Sequence, residues 1–246
     1  KRFPYEEDSL RGPFGFIMRT ADRLRDYGMF NFGDLHDALQ YGNAEAYEMH
    51  RHWKGAQHNG MRMPWTLYAR SGDPMYLTMA RRHDQHVMDV DTVHYVDERF
   101  AAVKAVTGET FPHFLHWLGG AGPAYFEANL ENKLWWHYFT GHPRGLDTAR
   151  EWIEALIAKP SPGTGREGSG TLSGIVEAYE ATWDPRLLEP MDGVKRAQFS
   201  LEPWDGHWQA YAPSLEKYNL LTRSRESADR MVRWARRGGE PYDCDH

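Results

Sequence analysis

The chain has 246 residues, of which 41% are hydrophobic and 26% charged, and its formal net charge is −6. This composition is typical of a globular protein with one large core or two small ones. No apolar run approaches the ~18 residues that a membrane-spanning helix needs. The negative charge argues against a general nucleic-acid binder, whose surface is usually basic. We therefore expect no nucleic-acid partner and no membrane partner.

The ends of the chain bear on its processing. Cys244 is the one cysteine, which excludes a disulfide within the chain but leaves its compartment open. The chain starts at Lys1 without a methionine or a signal peptide. We expect a processed form, or a piece cut from a longer protein whose targeting segment is absent here.

The predicted elements are almost all helical. Glycine and proline break any periodic pattern in the lead-in, residues 1–33. A long connection spans residues 91–122, with a short strand or helix at 98–106, and residues 159–165 form a loop. Helix-forming patterns and their stop signals predict helices at about 43–57, 63–70, 74–88, 123–140, 143–158, 170–182, 185–199, 209–222 and 225–237.

A short turn signature recurs four times between successive helices. Its clearest copy is Tyr68-Ala69-Arg70-Ser71-Gly72-Asp73-Pro74, and weaker copies occupy residues 138–143, 179–185 and 220–224. Aligned on one column, the copies stand 69, 42 and 40 residues apart, and a period of roughly 40 residues is typical of stacked helical hairpins. The aligned column consists of Gly72, Gly141, Trp183 and Arg223. Five residues after each of these lie the apolar residues Leu77, Leu146, Leu188 and Ala228. Eight residues after each lie Ala80, Ala149, Met191 and Met231.

Antiparallel hairpins at this period build either an open solenoid or a closed α/α toroid. Long polar loops before each repeat favour the toroid, whose inner helices line a cleft. A complete six-hairpin barrel needs about twelve helices of ~11–12 residues, more than this chain holds. We therefore predict an all-α fold: an (α/α) toroid at residues 34–240, an incomplete (α/α)6 barrel, between the lead-in and a tail at 241–246.

The loops that precede the turn signatures carry most of the chemically useful side chains. If the short turns share one rim, these longer loops share the other and bring imidazole, guanidinium and aromatic groups together. Candidate catalytic residues are His58, Asn59, Arg62, His113, His116, Arg166, His207 and Tyr211. Candidate substrate-binding residues are Trp53, His94, Trp117, Glu167, Trp204, Trp208 and Gln209.

Several of these residues have simpler interpretations. Arg166 and Glu167 could form a salt bridge that closes a glycine-rich loop. His113 and His116 have a spacing that suits a metal, but the sequence places no third ligand. The sequence contains no Ser-His-Asp order, no phosphate-binding glycine loop and no cysteine zinc pattern. We predict no cofactor and leave the metal ligands, and a role for calcium, open.

Three segments resemble the central domain of the exo-rhamnogalacturonan lyases, polysaccharide lyase family 26, which includes the YetA-like bacterial proteins. They are Tyr27-Gly28-Met29-Phe30-Asn31-Phe32-Gly33-Asp34, Gly60-Met61-Arg62-Met63-Pro64-Trp65-Thr66-Leu67-Tyr68-Ala69-Arg70 and Met88-Asp89-Val90-Asp91-Thr92-Val93-His94-Tyr95. The resemblance covers roughly residues 11–235. It implies a toroid flanked by β-sandwich domains of the same protein and an acidic plant polysaccharide as substrate. The location is unknown from the sequence, and we favour a secreted or periplasmic one.

The resemblance implies β-elimination at a 4-linked galacturonate. The reaction needs a cation or donor at the C6 carboxylate, a base for the C5 proton and an acid for the leaving O4. Arg62 and Arg166 are the candidate carboxylate ligands, because a guanidinium binds a carboxylate in a bidentate fork. Asn59 could assist them. The candidate bases are His58, His113, His116 and His207, the candidate acids are Tyr95, Tyr211 or a second histidine, and Trp53, Trp117, Trp204 and Trp208 would stack on sugar rings.

Two other functions remain open. A glycoside hydrolase on the same toroid would use two carboxylates about 5–10 Å apart. Asp34, Asp91, Glu167 and Asp205 could supply such a pair. A non-catalytic helical scaffold is the third interpretation, and it predicts that histidine, arginine and tyrosine are scattered rather than clustered in one cleft.

Overall fold

The computed structural model describes residues 19, 62–102, 104–110, 130–159, 165–199 and 208–237. The chain divides into two compact units, Lys1–Ala158 and Lys159–His246. Within the described ranges there are helices, one isolated antiparallel bridge between Thr92 and Thr110, and no strand. The prediction of an all-α fold is confirmed for this part of the chain. None of its helices is both long and apolar enough to cross a bilayer.

The first unit contains five described helices. They are α1 (Arg62–Ser71), α2 (Pro74–His86), α3 (Glu98–Ala102), α4 (Leu130–Thr140) and α5 (Arg144–Ala158). A π-helical turn, Val87–Asp91, follows directly on α2. Helix α1 packs on α2, α4 packs on α5, and α4 also contacts both α1 and α2. Successive hairpins in this unit are therefore stacked side by side, as the repeat predicts.

The second unit contains four described helices and a short 3₁₀ turn, Pro185–Leu187. The helices are α6 (Gly165–Thr182), α7 (Leu188–Phe199), α8 (Trp208–Thr222) and α9 (Arg225–Arg237). Helix α6 packs against both α7 and α8, and α8 packs against α9. The buried hydrophobic residues of α6 are Leu172, Ile175, Val176 and Ala178. This unit is thus two hairpins joined through their first helices.

All four turn signatures have the same backbone geometry. The column residues Gly72, Gly141, Trp183 and Arg223 have φ values of +69°, +70°, +53° and +57°. The N–H of each donates to the carbonyl four residues earlier at 2.7–2.8 Å, which closes a left-handed helix C-terminus. Glycine adopts this conformation freely, whereas Trp183 and Arg223 adopt it at a cost of about 1–2 kcal/mol.

The side chains around the column explain why the signature recurs. The preceding hydroxyl of Ser71, Thr140, Thr182 or Thr222 donates to the carbonyl four residues earlier at 2.5–2.8 Å. After the column, the side chains of Asp73, His142 and Asp184 accept from the N–H two residues later at 2.9–3.1 Å and cap the next helix. In the fourth copy Ser224 accepts instead from Ser227 N–H at 3.3 Å.

The recurring apolar positions of the repeat are buried only in part. Eight residues after the column, Ala80, Ala149 and Met191 are buried and Met231 is half-buried. Five residues after it, however, Leu188 is 41% exposed. The other buried position lies four residues after the column, at Tyr76, Gly145, Leu187 and Ser227. Steps of four keep residues on one helix face, and this face packs inward.

The prediction for the start of α6 was wrong. Residues 165–169, including Arg166 and Glu167, were placed in a glycine-rich loop, but the helix begins at Gly165. Glycine lowers helix propensity by only about 1 kcal/mol per residue, and tertiary packing overrides such a preference. Gly168 is buried in this first stretch of α6. Arg166 and Glu167 therefore lie within α6, not on a loop.

Candidate functional site

Helices α2 and α4 of the first unit enclose a cluster of polar side chains. Asp84 of α2 is 1% exposed and Lys133 of α4 is fully buried. The indole N–H of Trp65 donates to Asp84 Oδ2 at 2.6 Å. Lys133 Nζ lies 3.5 Å from Thr110 Oγ1, in the loop that follows α3. Ionisable groups so deeply buried are uncommon outside functional sites.

Burial shifts both ionisation equilibria toward the neutral forms. Loss of solvation raises the pKa of Asp84 to about 8, although Trp65, Lys133 and Asn132 counteract the rise. Loss of solvation likewise lowers the pKa of Lys133 to about 7, against the attraction of the nearby carboxylates. These are the directions expected when charge is removed from water. The cluster therefore holds a carboxyl and an amine that both change charge close to neutral pH.

The π-helical turn after α2 carries further buried polar groups. Asp91 is fully buried, and its Oδ1 lies 3.3 Å from Nε2 of His86, which is also buried. The Thr92 hydroxyl donates to the Val87 carbonyl at 2.7 Å and closes the turn. Single π-helical turns are frequent at functional sites, where the extra residue redirects neighbouring side chains.

Two side chains of α5 hold the segment that follows this turn. Arg144 donates to Asp89 Oδ1 through Nε at 3.0 Å and Nη2 at 2.9 Å, and to the Met88 carbonyl at 3.2 Å. Glu151 Oε2 lies 2.6 Å from Nδ1 of His94. The other ring nitrogen of His94, Nε2, lies 2.5 Å from the Met88 carbonyl and 2.9 Å from Arg144 Nη2. We call Asp89, His94, Arg144 and Glu151 the α5 clamp.

Two glycines allow the close backbone approach that the clamp requires. A Cβ on Gly108 would lie 2.0 Å from the Glu151 carbonyl oxygen, and one on Gly145 would lie 2.2 Å from the Lys133 carbonyl oxygen. Val93 N–H donates to the Glu109 carbonyl at 2.8 Å, and Gly108 N–H donates to the Val93 carbonyl at 2.7 Å. The described part of the predicted long connection is therefore a fixed loop against α5.

The sequence-predicted site residues fall into three groups. His94 has a described side chain, which is 29% exposed and belongs to the α5 clamp. Arg62, Arg166, Glu167, Trp208, Gln209 and Tyr211 lie at or near the start of α1, α6 and α8, and only their backbone positions are described. Trp53, His58, Asn59, His113, His116, Trp117, Trp204 and His207 lie outside the described residues.

Sequence reasoning did not single out Asp84, Lys133, Arg144 or Glu151. One signal was available: Glu131, Asn132 and Lys133 are consecutive on a helix. Three consecutive residues spread over roughly 200° of the helix surface, so a buried α4 must enclose at least one polar side chain. In fact all three are at most 1% exposed.

Metal binding finds no geometric support in the residues that the structure describes. No group of three or more His, Cys, Asp or Glu side chains among them could hold an ion. The buried carboxylates lie instead beside Trp65, His86 and Lys133. The prediction that leaves the metal ligands open stays a prediction.

Comparison of the chain with family models, curated proteins and solved structures found no match in any of the three.

Proposed function

We propose that this chain is the helical domain of a polysaccharide lyase that cleaves rhamnogalacturonan-type pectin by β-elimination at a 4-linked galacturonate. The proposal starts from the three segments that resemble the exo-rhamnogalacturonan lyases. In this proposal the stacked hairpins close, with flanking parts of the same protein, into an (α/α) toroid. The long loops before each repeat then form one rim of a cleft that binds the acidic polysaccharide.

The observation that carries the proposal is the anchoring of Met88–Tyr95, one of the three segments that resemble the lyase family. A segment that merely connected helices would not need a π-helical turn, the buried His86–Asp91 pair and the α5 clamp. Immediately after His94, Tyr95 is 76% exposed. A proton donor must be held in position and must reach the substrate. The fixed backbone before Tyr95 and its exposed phenol suit this role.

The roles of the remaining groups follow from the reaction. Arg62 or Arg166 neutralises the C6 carboxylate, which makes the C5 proton acidic enough to remove. A neutral imidazole near pH 7 accepts that proton, and the candidates are His58, His113, His116 and His207. Tyr95 or Tyr211 protonates the leaving O4. No step of this scheme requires a metal, and calcium remains an additional possibility for substrate binding.

Substitution of Tyr95 tests this scheme on the described part of the chain. Full-length Tyr95→Phe, incubated with rhamnogalacturonan I, should form unsaturated uronic acid at least about 100-fold more slowly, as expected for loss of a general acid. Tyr138→Phe is the matched control, because Tyr138 is 62% exposed in the last turn of α4 and is not part of the α5 clamp. Equal rates for both variants would remove Tyr95 from the mechanism and leave Tyr211 or a histidine as the acid.

The glycoside hydrolase remains the rival proposal. Of its candidate carboxylates, Asp91 has a described side chain, and it is fully buried beside His86. A general acid must reach the glycosidic oxygen, so Asp91 is poorly placed for that role in this structure. Asp34 and Asp205 lie outside the described residues, and the side chain of Glu167 is not described. A helical scaffold without catalysis would show neither unsaturated nor hydrolysed products.

A further inference from the structure

The turn between α6 and α7 presents an exposed tryptophan in a conformation that favours glycine. Trp183 has φ +53° and is 62% exposed. The equivalent residues in the first unit are Gly72 and Gly141. A large side chain in this region of φ is an outlier, and the hydrogen bond from Trp183 N–H to the Tyr179 carbonyl at 2.7 Å holds it there. Neither helix termination nor core packing explains why a tryptophan stands here.

The indole ring is held in a defined orientation. The ring of Tyr179, one helical turn earlier on α6, meets Trp183 edge to face, with centroids 5.3 Å apart and an interplanar angle of 61°. This geometry fixes the indole on one side and leaves the other surface to solvent. An aromatic ring fixed before its ligand arrives loses little conformational entropy on binding.

Ion pairs flank Trp183 along the chain and restrict the kinds of ligand that fit. Asp184 and Arg186 form an ion pair at 2.6 Å directly after Trp183. Glu180 pairs with Lys217 at 2.5 Å just before it. A hydrophobic protein partner or a lipid core would have to cover these charges, at a cost in desolvation. A sugar has an apolar C–H face for the ring and hydroxyl groups for the charged rim.

We propose that Trp183 is the platform of a second carbohydrate-binding site, at which the pyranose ring of a polysaccharide stacks on the indole. The choice of a polysaccharide rests on the proposed function; the platform itself rests on the exposure, orientation and strain of Trp183. Trp183 and Arg166, a candidate carboxylate ligand, lie at opposite ends of α6. Helix α6 has 18 residues and a rise of 1.5 Å per residue, which places Trp183 about 27 Å from the start of that helix.

The test is binding of rhamnogalacturonan I oligosaccharides to the full-length protein, measured by isothermal titration calorimetry separately from any cleavage assay. If the oligosaccharides are cleaved during titration, the same variants are compared in a background without catalytic activity. Trp183→Gly should weaken binding at this site by at least about tenfold, whereas Trp183→Tyr should keep it within about threefold. Trp183→Gly should also leave the Tm unchanged or raise it, because glycine relieves the backbone strain.

Arg223→Gly is the matched control, since Arg223 occupies the same turn position with φ +57°. It should relieve strain in the same way and leave sugar affinity unchanged. If wild type and Trp183→Gly bind the oligosaccharides with equal affinity and cleave them at the same rate, the proposed Trp183 site is overturned and the proposed lyase activity stands. Binding that depends on Trp183 in a protein that forms no unsaturated product would instead overturn the lyase and leave the platform.

Discussion

Replacing Asp84 with asparagine should remove a pH dependence of stability that the buried carboxyl creates. Burial raises the pKa of Asp84 from 3.8 to about 8. Between these values the folded protein keeps the proton while the unfolded chain has lost it. The free energy of unfolding therefore falls as pH rises, by about 1.4 kcal/mol per pH unit and about 2.7 kcal/mol from pH 5 to pH 7. Asparagine can still accept the Trp65 N–H bond but has no proton to lose.

Lys133 changes the free energy of unfolding with pH in the opposite direction from Asp84, and over a different pH range. Its pKa is lowered from 10.5 to about 7, so the unfolded chain binds more protons than the folded protein between these values. Stability from this group therefore rises with pH above about 7. Lys133 is still mostly protonated in the folded protein at about pH 5 and pH 6, so between these values the change in stability with pH follows Asp84, and Lys133 begins to contribute only as pH 7 is approached.

Urea denaturation of wild type and Asp84→Asn at about pH 5, 6 and 7 measures the difference in the free energy of unfolding. The free energy of unfolding of Asp84→Asn, relative to that of the wild type, should increase by about 1.4 kcal/mol for each pH unit. Asp147→Asn is the control for loss of one negative charge, because the Asp147 side chain is 57% exposed on α5. If the difference in the free energy of unfolding between wild type and Asp84→Asn stays constant from about pH 5 to pH 7, the assignment of a protonated, buried Asp84 is refuted.

Other substitutions probe the loop, the clamp and the turns. Gly108→Ala would place a Cβ 2.0 Å from a backbone oxygen of α5 and should destabilise by about 3 kcal/mol or more in thermal unfolding. Gly72→Ala has open space but a φ of +69°, so about 1 kcal/mol is expected in the same assay. Arg144→Ala should raise hydrogen exchange in residues 87–95 and cost about 1 kcal/mol, as expected for a partly exposed ion pair; unchanged exchange there would contradict the clamp. Tyr218→Phe removes a 2.6 Å hydrogen bond to a carboxylate of α7 and should cost about 1 kcal/mol in urea denaturation, so an unchanged midpoint would count against that bond.

The turns and most helix bounds could be predicted because their chemistry is local. A hydroxyl residue, a residue that adopts positive φ and a capping side chain are consecutive in the sequence, and their hydrogen bonds reach four residues at most. Three of these signatures therefore predict an abrupt helix end and a new helix start. The fourth, which ends at Ser224, was recognisable only by its spacing.

The buried polar cluster could not be predicted in the same way. Asp84 contacts Trp65, 19 residues earlier, and Glu151 contacts His94, 57 residues earlier. Such pairs depend on how the hairpins stack, which helical periodicity alone does not specify. The start of α6 was missed for a related reason: packing decided a stretch in which glycine made the local preference weak. The candidate catalytic histidines lie outside the described residues and stay predictions.

We propose that this protein cleaves pectin by elimination rather than by hydrolysis. Digestion of rhamnogalacturonan I by the full-length protein in ¹⁸O-labelled water, followed by mass spectrometry of the products, tests it most directly. The account predicts new chain ends that carry an unsaturated uronic acid, absorb in the ultraviolet and contain no ¹⁸O. Hydrolysis would instead place one labelled oxygen per cleaved bond on the new reducing end, with the original oxygen kept on the other product and no new absorbance; that result would contradict the account and establish a hydrolase.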